Sequence, residues 1–268
     1  MYDTIEIGIR AHDLPAATPA ELLACTKKLG ISYVQLAPRK SFSQIPWSSS
    51  TFSPGLAAKI RKDLGDLRIS VLGSYIDLLA EGDARAEQKA IFEQNMLFAK
   101  YLGAGVIGTE TGMSDHSEAD FQKVLQFVKE LVCDAEKLGV IVAVEGVWCH
   151  TIHSPLVMKR LLDAIDSPNL MTIFDPVNFI NTENYQNQDE IIKQPFLLYP
   201  EKIAAIHLKD FTVKDGVVVG ARPGNGMLHT DLLLDCIKQY KPGLDILMEE
   251  SSIDGFKAER DYVLRCAK

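Results

Sequence analysis

Four side chains of the types that bind divalent metal ions follow apolar runs in the second half of the chain. The runs are IVAVE, LMTIFD, IAAIHLKD and LDILME, and the side chains are Glu145, Asp175, His207 and Glu249. They are 30, 32 and 42 residues apart, and a strand, a crossover helix and the next strand need roughly 30 residues. Consecutive βα units bring such strand ends to one end of a sheet, so the spacing predicts that the four side chains converge on a metal site.

Three carboxylates and one imidazole suit a hard or borderline divalent ion, namely Mn²⁺, Mg²⁺ or Co²⁺, with Zn²⁺ as a further candidate. An ion held in this way can chelate the vicinal oxygens of a hydroxy-ketone or aldose and acidify the carbon between them. Glu145 and Glu249 lie on non-adjacent strands and are the natural pair to remove and return the proton. Each residue taken singly also has a structural explanation, as an ion-pair partner or a hydrogen-bonded core histidine, but the convergence of all four favours a metal site.

The strands and helices that must position these residues alternate along the whole chain. The first four strands are predicted at Ile5–Arg10, Tyr33–Leu36, Ile69–Tyr75 and Val106–Thr109. The last four are continuous runs of Val, Ile and Leu, as expected for parallel strands covered on both faces. Eight strands and eight helices predict an α/β fold, a closed (β/α)8 TIM barrel, as a single domain over residues 1–268 with its active site at the carboxyl ends of the strands.

Two segments are predicted to stand over the barrel mouth. Asp215 and Gly216 lie between valines in FTVKDGVVVG, after the seventh strand, and Asp-Gly in this setting is a signal for a β-hairpin. The loop from Ser41 to Pro54 is rich in Ser, Pro and aromatic residues and is a candidate lid.

Composition excludes several classes of function. The chain has 28 Lys and Arg against 36 Asp and Glu, a formal charge of −8, which disfavours a nucleic-acid partner. No apolar run approaches the roughly 20 residues of a membrane helix, and the start, MYDTIEIGIR, lacks the layout of a signal peptide. Five cysteines without a Cys-x-x-Cys pair indicate reduced thiols. We therefore expect a soluble, cytoplasmic protein.

The metal-binding pattern resembles that of the xylose-isomerase-like TIM barrel superfamily, which includes sugar phosphate isomerases, ketose 3-epimerases and inosose dehydratase. Besides the four candidate ligands, the most specific motifs are IFDPVN, IHLKD and the final strand ending in Glu, with IGIRAHD and GTETG as supporting likeness. The resemblance covers the whole chain. It implies one divalent ion on the four residues, Glu145 and Glu249 as acid and base, a sugar or sugar phosphate as small-molecule substrate, and homodimers or homotetramers.

The chain also departs from that pattern. Ketose 3-epimerases usually carry a His three residues after the strand-6 Asp, where this chain has Asn178, and a further Glu shortly after the strand-5 Glu, where it has His150 and Thr151. A simple ketohexose epimerase is therefore disfavoured. Endonuclease IV, a DNA-repair relative, needs more His and acidic ligands for three zinc ions, and this chain has six His in all. The Lys209-Asp210 pair is similar to dehydratases of the inosose type as well as to isomerases.

These observations predict a divalent-metal-dependent isomerase or epimerase of a sugar or sugar phosphate, acting by proton transfer through a metal-stabilised enediolate. The alternative is a metal-dependent dehydratase, a lyase, of an inosose-like polyol ketone. A sugar-binding barrel without turnover ranks third, because none of the four candidate ligands is missing.

Further residues are predicted to contact substrate. They are His150, Asn178, Lys209, Arg222, Tyr75, His12, Glu110 and Trp148. Arg222 could clamp a carboxylate or phosphate with its planar guanidinium. Lys209 could neutralise an anionic substrate or pair with Asp210 or Glu250, and Glu110 could be an acid/base or a buried partner for Arg10.

The remaining candidates near the mouth have simpler explanations. His150 and Trp148 could bind a sugar or pack within a loop, and His116 and His153 are predicted to be surface residues.

Overall fold

Eight parallel strands close into a barrel in the computed structural model of the protein. The structure describes residues 5–48 and 50–267; the predicted domain limits at 1 and 268, and residue 49 of the predicted lid, lie outside them. Around the barrel the order is β1-β10-β7-β6-β5-β4-β3-β2. The strands are β1 (Ile7–Arg10), β2 (Tyr33–Leu36), β3 (Arg68–Gly73), β4 (Val106–Glu110), β5 (Ile141–Glu145), β6 (Leu170–Phe174), β7 (Ile203–Leu208) and β10 (Asp245–Met248). The predicted (β/α)8 architecture is confirmed.

Nine α-helices are described, one more than predicted. They are α1 (Pro19–Leu29), α2 (Pro38–Ser41), α3 (Pro54–Leu64), α4 (Gly82–Leu102), α5 (Glu118–Leu138), α6 (Pro155–Ile165), α7 (Gln188–Leu198), α8 (Thr230–Tyr240) and α9 (Phe256–Cys266). The extra helix, α2, is one short turn. Hydroxyl caps at Thr18, Ser53, Ser117 and Ser154 each accept a hydrogen bond from a first-turn amide. No described helix has the length and apolarity needed to cross a membrane.

Four strand bounds differ from prediction in the first half: β3 begins at Arg68 and β4 ends at Glu110, each one residue outside the predicted bound, and two bounds differ by two residues. Strand β1 pairs with β10 from Ile7 onward rather than from Ile5, and β3 ends at Gly73 instead of continuing to Tyr75. Tyr75 consequently lies beyond the strand, at the barrel mouth, where its ring is partly exposed.

Side chains from seven strands fill the barrel. Tyr33 on β2 packs with small and branched residues of the other strands, and its hydroxyl donates to the carbonyl of Glu6 at 2.7 Å and accepts from the amide of Ile246 at 3.0 Å. A Cβ on Gly8 would lie 2.5 Å from the Tyr33 ring, so glycine makes room for the tyrosine. A second apolar layer packs between the strands and the helices.

The predicted hairpin is present after β7. Strands β8 (Asp210–Lys214) and β9 (Val217–Ala221) pair antiparallel, and the turn residues Asp215 and Gly216 both have positive φ, 50° and 76°, as a type I′ turn requires. The buried carboxylate of Asp210 holds the hairpin base. It accepts from the backbone amides of Phe211, Gly224, Gly226 and Leu228 at 2.8–3.1 Å.

Candidate active site

Glu145, Asp175, His207 and Glu249 converge at the carboxyl end of the barrel. Glu145 ends β5, Asp175 follows β6, His207 lies in β7 and Glu249 follows β10. One ligand atom from each lies within 4.8 Å of the other three, and all four side chains are buried. The predicted convergence of the four side chains is therefore confirmed, and the cluster lies at the end of the barrel where TIM barrels place their active sites.

The His207 imidazole joins the two glutamates. Its Nδ1 is 3.0 Å from Oε1 of Glu145 and 3.0 Å from Oε1 of Glu249. Burial alone would lower the pKa of His207, but the two carboxylates outweigh it and raise that pKa to about 10. Without an ion, the imidazole is therefore charged and takes the place of a cation in the cluster.

Lys209 supplies a second positive charge. Its Nζ lies 2.9 Å from Oδ2 of Asp175 and 3.2 Å from Oε2 of Glu249. The predicted pairing of Lys209 with Asp210 or Glu250 is wrong. Residues two apart on a strand share a face, so Lys209 points with His207 into the barrel mouth, and Asp210 turns to the hairpin amides.

The acids of the cluster respond differently to these cations. Burial raises the pKa of Asp175 to about 6, even with Lys209 beside it. Burial would also raise the pKa of Glu249, but His207, Lys209 and Arg10 hold it well below its usual range. Glu249 is therefore ionised at neutral pH. An added positive charge would favour the ionised form of Asp175.

The donor set fits a divalent metal ion. Three carboxylates and a buried imidazole nitrogen face one another with only protein cations to balance them, and a hard or borderline divalent ion prefers such oxygen and nitrogen ligands. His207 Nδ1, which faces the two glutamates, is the imidazole atom placed to bind an ion. The residues that would hold it are Glu145, Asp175, His207 and Glu249.

Asn178 connects the cluster to the loop after β6. Its Nδ2 donates to Oε1 of Glu145 at 2.7 Å, and its Oδ1 accepts from Nζ of Lys209 at 2.7 Å. The sequence singled out this asparagine as a departure from the ketose 3-epimerase pattern. In the structure it fixes the orientation of both Glu145 and Lys209.

Arg10 and Asp13 form a support that the sequence reasoning missed. Nη1 of Arg10 lies 3.3 Å from Oε2 of Glu249, and its Nε donates to Asp13 at 2.9 Å. Nη2 lies 3.6 Å from the largely exposed carboxylate of Glu250. The predicted pairing of Arg10 with Glu110 is therefore wrong, because the arginine is held on the β1–β10 side of the barrel. The sequence signal that could have predicted this pair is an arginine at the end of a strand with an aspartate three residues later.

Glu110 faces the opposite side of the cluster. It ends β4 directly beside Glu145 in the strand register, and its Oε2 lies 3.7 Å from Nδ1 of His150. Burial, reinforced by the charges of Glu145 and Glu249, raises the pKa of Glu110 to about 7. Burial lowers the pKa of His150, so near neutrality the site holds a carboxyl group poised to exchange a proton beside a neutral imidazole.

A family model described as xylose isomerase-like TIM barrel matches residues 23–265. The chain belongs to this family. A search of curated proteins finds no match. Solved structures with the same fold include the IolI protein with a bound zinc atom, at 16% identity and a TM-score of 0.75, covering 98% of this chain and 95% of that one.

Two further structures similar to this xylose isomerase-like barrel carry activities in their names. The 3-keto-D-glucoside 4-epimerase YcjR from E. coli, in its apo form, is 13% identical with a TM-score of 0.72, covering 98% of this chain and 99% of that one. The probable 3-DHS dehydratase AsbF from Bacillus anthracis is 13% identical with a TM-score of 0.73, covering 97% and 99%. At these identities the similarity shows a shared fold.

Other predicted contact residues of the xylose isomerase-like barrel surround the mouth at different depths. The hydroxyl of Tyr75 accepts from Nε2 of Gln35 at 2.9 Å. His12 is half-buried, and its burial, with Arg10 and Lys40 nearby, lowers its pKa to about 4. It is therefore neutral at physiological pH.

Arg222 lies apart from the cluster. It follows β9, its side chain is 52% exposed, and its Nη1 is 3.9 Å from the buried carboxylate of Glu259 on α9. Its role in clamping an anion stays a prediction.

Proposed function

We propose that the protein is a divalent-metal-dependent isomerase or epimerase of a sugar or sugar derivative. The observation that carries this proposal is the buried cluster of Glu145, Asp175, His207 and Glu249, whose ligand atoms lie within 4.8 Å of one another. Membership of the xylose isomerase-like family and the fold shared with a sugar epimerase support it.

A bound divalent ion would polarise the carbonyl and adjacent hydroxyl oxygens of the substrate, which acidifies the carbon between them. The chain's own residues then have to move the proton. Glu249 is ionised at neutral pH, so it holds no proton that would have to leave before it accepts one from the substrate. Glu145 is the second carrier, and we assign the exchange to its Oε2, because the described contacts with Asn178 and His207 engage Oε1.

Lys209 and Asn178 orient the acids during this transfer. Lys209 contacts Asp175 and Glu249, and Asn178 contacts both Glu145 and Lys209. The carboxylates are therefore fixed before substrate arrives, and little reorganisation is needed as charge develops. The five cysteines are free thiols, which supports a reducing, cytoplasmic location for this activity.

A dehydratase is the second candidate, and Glu110 is the observation that favours it. A carboxyl group with a pKa of about 7 is partly protonated at neutral pH and can donate a proton to a leaving hydroxyl. A probable dehydratase is also among the proteins that share the fold.

Proton exchange distinguishes these functions. The protein loaded with Mn²⁺ is incubated in D₂O with a panel of free and phosphorylated ketoses, and the products are followed by NMR. An isomerase or epimerase incorporates deuterium at the shifted carbon, and a dehydratase also loses water and gains a new carbonyl absorption. A binding protein does neither, which would refute the proposal.

The substitution Glu145→Gln tests the assignment directly. It preserves shape but removes the proton acceptor, so kcat should fall by roughly 10²–10⁴-fold with an unchanged circular dichroism spectrum. The control is Glu87→Gln on the exposed surface of α4. Wild-type turnover in Glu145→Gln would remove Glu145 from the mechanism.

A further inference from the structure

A cavity of about 690 Å³ opens beside the metal-binding cluster. Its walls come from the loops after β4, β5 and β6 and from the β8–β9 hairpin, and Asn178 and Lys209, which contact the cluster, line it. Pockets of about 300–1,000 Å³ bury ligands of drug size. The space therefore adjoins the cluster at two residues that contact it, Asn178 and Lys209.

The walls combine apolar surfaces with polar groups, most of them neutral, and with one exposed acid, Glu183. The apolar side is formed by Val147, Trp148, Val177, Ile180, Val217 and Val218, and the polar side includes Ser154, Asn181, Thr182 and Asn184. Trp148 is 46% exposed, so its ring is open to a ligand. Flat aromatic faces next to amide and hydroxyl groups are suited to a ring that carries hydroxyls or to an aromatic ring.

The described walls offer no free lysine or arginine for a phosphate. Lys209 is already engaged by Asp175, Glu249 and Asn178. His116 and His153 stack with ring centroids 4.0 Å apart, and burial, then the neighbouring His116, lowers the pKa of His153. Phosphate recognition normally uses charge-assisted bonds from arginine or lysine, and the acid in the wall, Glu183, would repel an anion, so the distal part of the ligand carries no negative charge.

We propose that the substrate is a neutral sugar ketone joined through a glycosidic oxygen to a second ring, which lies in this cavity over Trp148. The proposal rests on the proposed function and deepens it. The reacting unit binds at the cluster, and a proton leaves the carbon next to the carbonyl and returns to the same or the adjacent carbon. The glycosidic bond stays intact, so no other atom or electron is gained or lost.

Four probes separate the possible substrates. Fructose is the free ketose, fructose 6-phosphate the anionic derivative, and isomaltulose carries a glucose ring at the same oxygen as that phosphate. The fourth, 4-nitrophenyl 3-keto-β-D-glucoside, carries an aromatic ring. Deuterium exchange by the Mn²⁺-loaded protein gives kcat/KM, and calorimetry with Mn²⁺-loaded Glu145→Gln gives affinity independently of turnover.

One or both glycosides should exceed fructose and fructose 6-phosphate by about tenfold or more in kcat/KM and in affinity, equivalent to ~1.4 kcal/mol. Preference for isomaltulose identifies a second sugar ring, and preference for the nitrophenyl glycoside an aromatic one. If free fructose or its phosphate is processed equally well or better, the inference falls and the proposed function stands. If the glycosides bind tightly but undergo no deuterium exchange in the wild-type protein, the inference is supported and the proposed function is refuted. If the glycosides do not bind, the inference is overturned.

Two variants place the second ring in the cavity. Trp148→Ala should reduce the preference for glycoside over fructose by roughly tenfold. Its matched control is Tyr101→Ala, since Tyr101 is an aromatic residue of similar exposure, 48%, at the end of α4, on the opposite side of the barrel.

Gly220→Leu fills the space instead. Residue 220 shares a strand face with Val218, and a Cβ there would meet no atom within 4 Å. This variant should lower glycoside affinity more than fructose affinity, and Val219→Leu, on the other face of the hairpin, is its control. An unchanged preference in both Trp148→Ala and Gly220→Leu would show that the cavity does not bind the second ring.

Discussion

Metal binding to the cluster should release one proton near neutral pH. His207 must be neutral to act as a ligand, yet in the metal-free protein the carboxylates of Glu145 and Glu249 raise its pKa to about 10. Removing that proton at pH 7 weakens binding by roughly a thousandfold, or about 4 kcal/mol. Asp175, with a pKa of about 6, is already mostly ionised above pH 7. Affinity for Mn²⁺ should therefore rise about tenfold from pH 7 to pH 8.

Isothermal titration calorimetry measures this proton directly. Mn²⁺ is titrated into metal-free protein at pH 7 and pH 8, each in two buffers of different ionisation enthalpy, and the difference in heat gives the number of protons released. The wild-type protein should release close to one. His207→Asn should lose this release together with most of the affinity, whereas His229→Gln, which alters an exposed histidine beside Asp189, should behave as wild type.

An affinity that is independent of pH, with no buffer-dependent heat, would refute this reasoning. It would mean that the imidazole between Glu145 and Glu249 is neutral before the metal binds. The 3.0 Å contacts of Nδ1 would then be made by a neutral imidazole, and another group would have to balance the buried carboxylates.

Three further predictions concern the supports of the site. Lys209→Met should destabilise the metal-free protein by roughly 3–5 kcal/mol in urea denaturation, because it leaves buried carboxylates unpaired, and Mn²⁺ should restore part of the loss; equal stability would contradict the pairing. Asp210→Ala should lower the free energy of unfolding by about 3 kcal/mol, because it leaves hairpin amides without an acceptor, and Asp210→Asn should have an intermediate effect. A smaller loss of stability in Asp210→Ala than in Asp210→Asn would contradict the role of these hydrogen bonds. The pKa of Glu110 is raised from 4.5 to about 7, so its contribution to stability is present below pH 4.5 and is lost as the pH rises through 7. Glu110→Gln should gain stability relative to wild type between pH 5 and pH 8, and a pH-independent difference would contradict the raised pKa.

The sequence predicted the fold and the cluster for a simple geometric reason. A strand followed by a helix repeats at nearly constant length, and closing eight such units places every strand end at one mouth. Residues fixed by backbone position, such as Glu145 at the end of β5 and His207 within β7, could therefore be located by counting. The same holds for the Asp-Gly turn, because few residues tolerate positive φ at both turn positions.

Side-chain partners could not be predicted in the same way. The partners of Lys209 and Arg10 depend on which way long side chains turn among several acids, and spacing does not specify this. The sequence likewise placed His116 and His153 as unrelated surface residues, although two loops fold together and stack their rings. The cavity itself is formed by three separate loops and the hairpin and leaves no periodic signal in the chain.

The hydrogen bonds of Asp210 anchor the hairpin independently of the residues of the candidate active site. The Asp210 carboxylate accepts hydrogen bonds only from main-chain amides at the base of the hairpin. These hydrogen bonds therefore do not depend on the side chains of residues 212–219. With Asp215 and Gly216 kept for the positive φ of the turn, the rest of that stretch can be exchanged without disturbing His207, which lies three residues before Asp210 in the chain. Libraries randomised there should yield barrels with new ligand selectivity and an unaltered reaction.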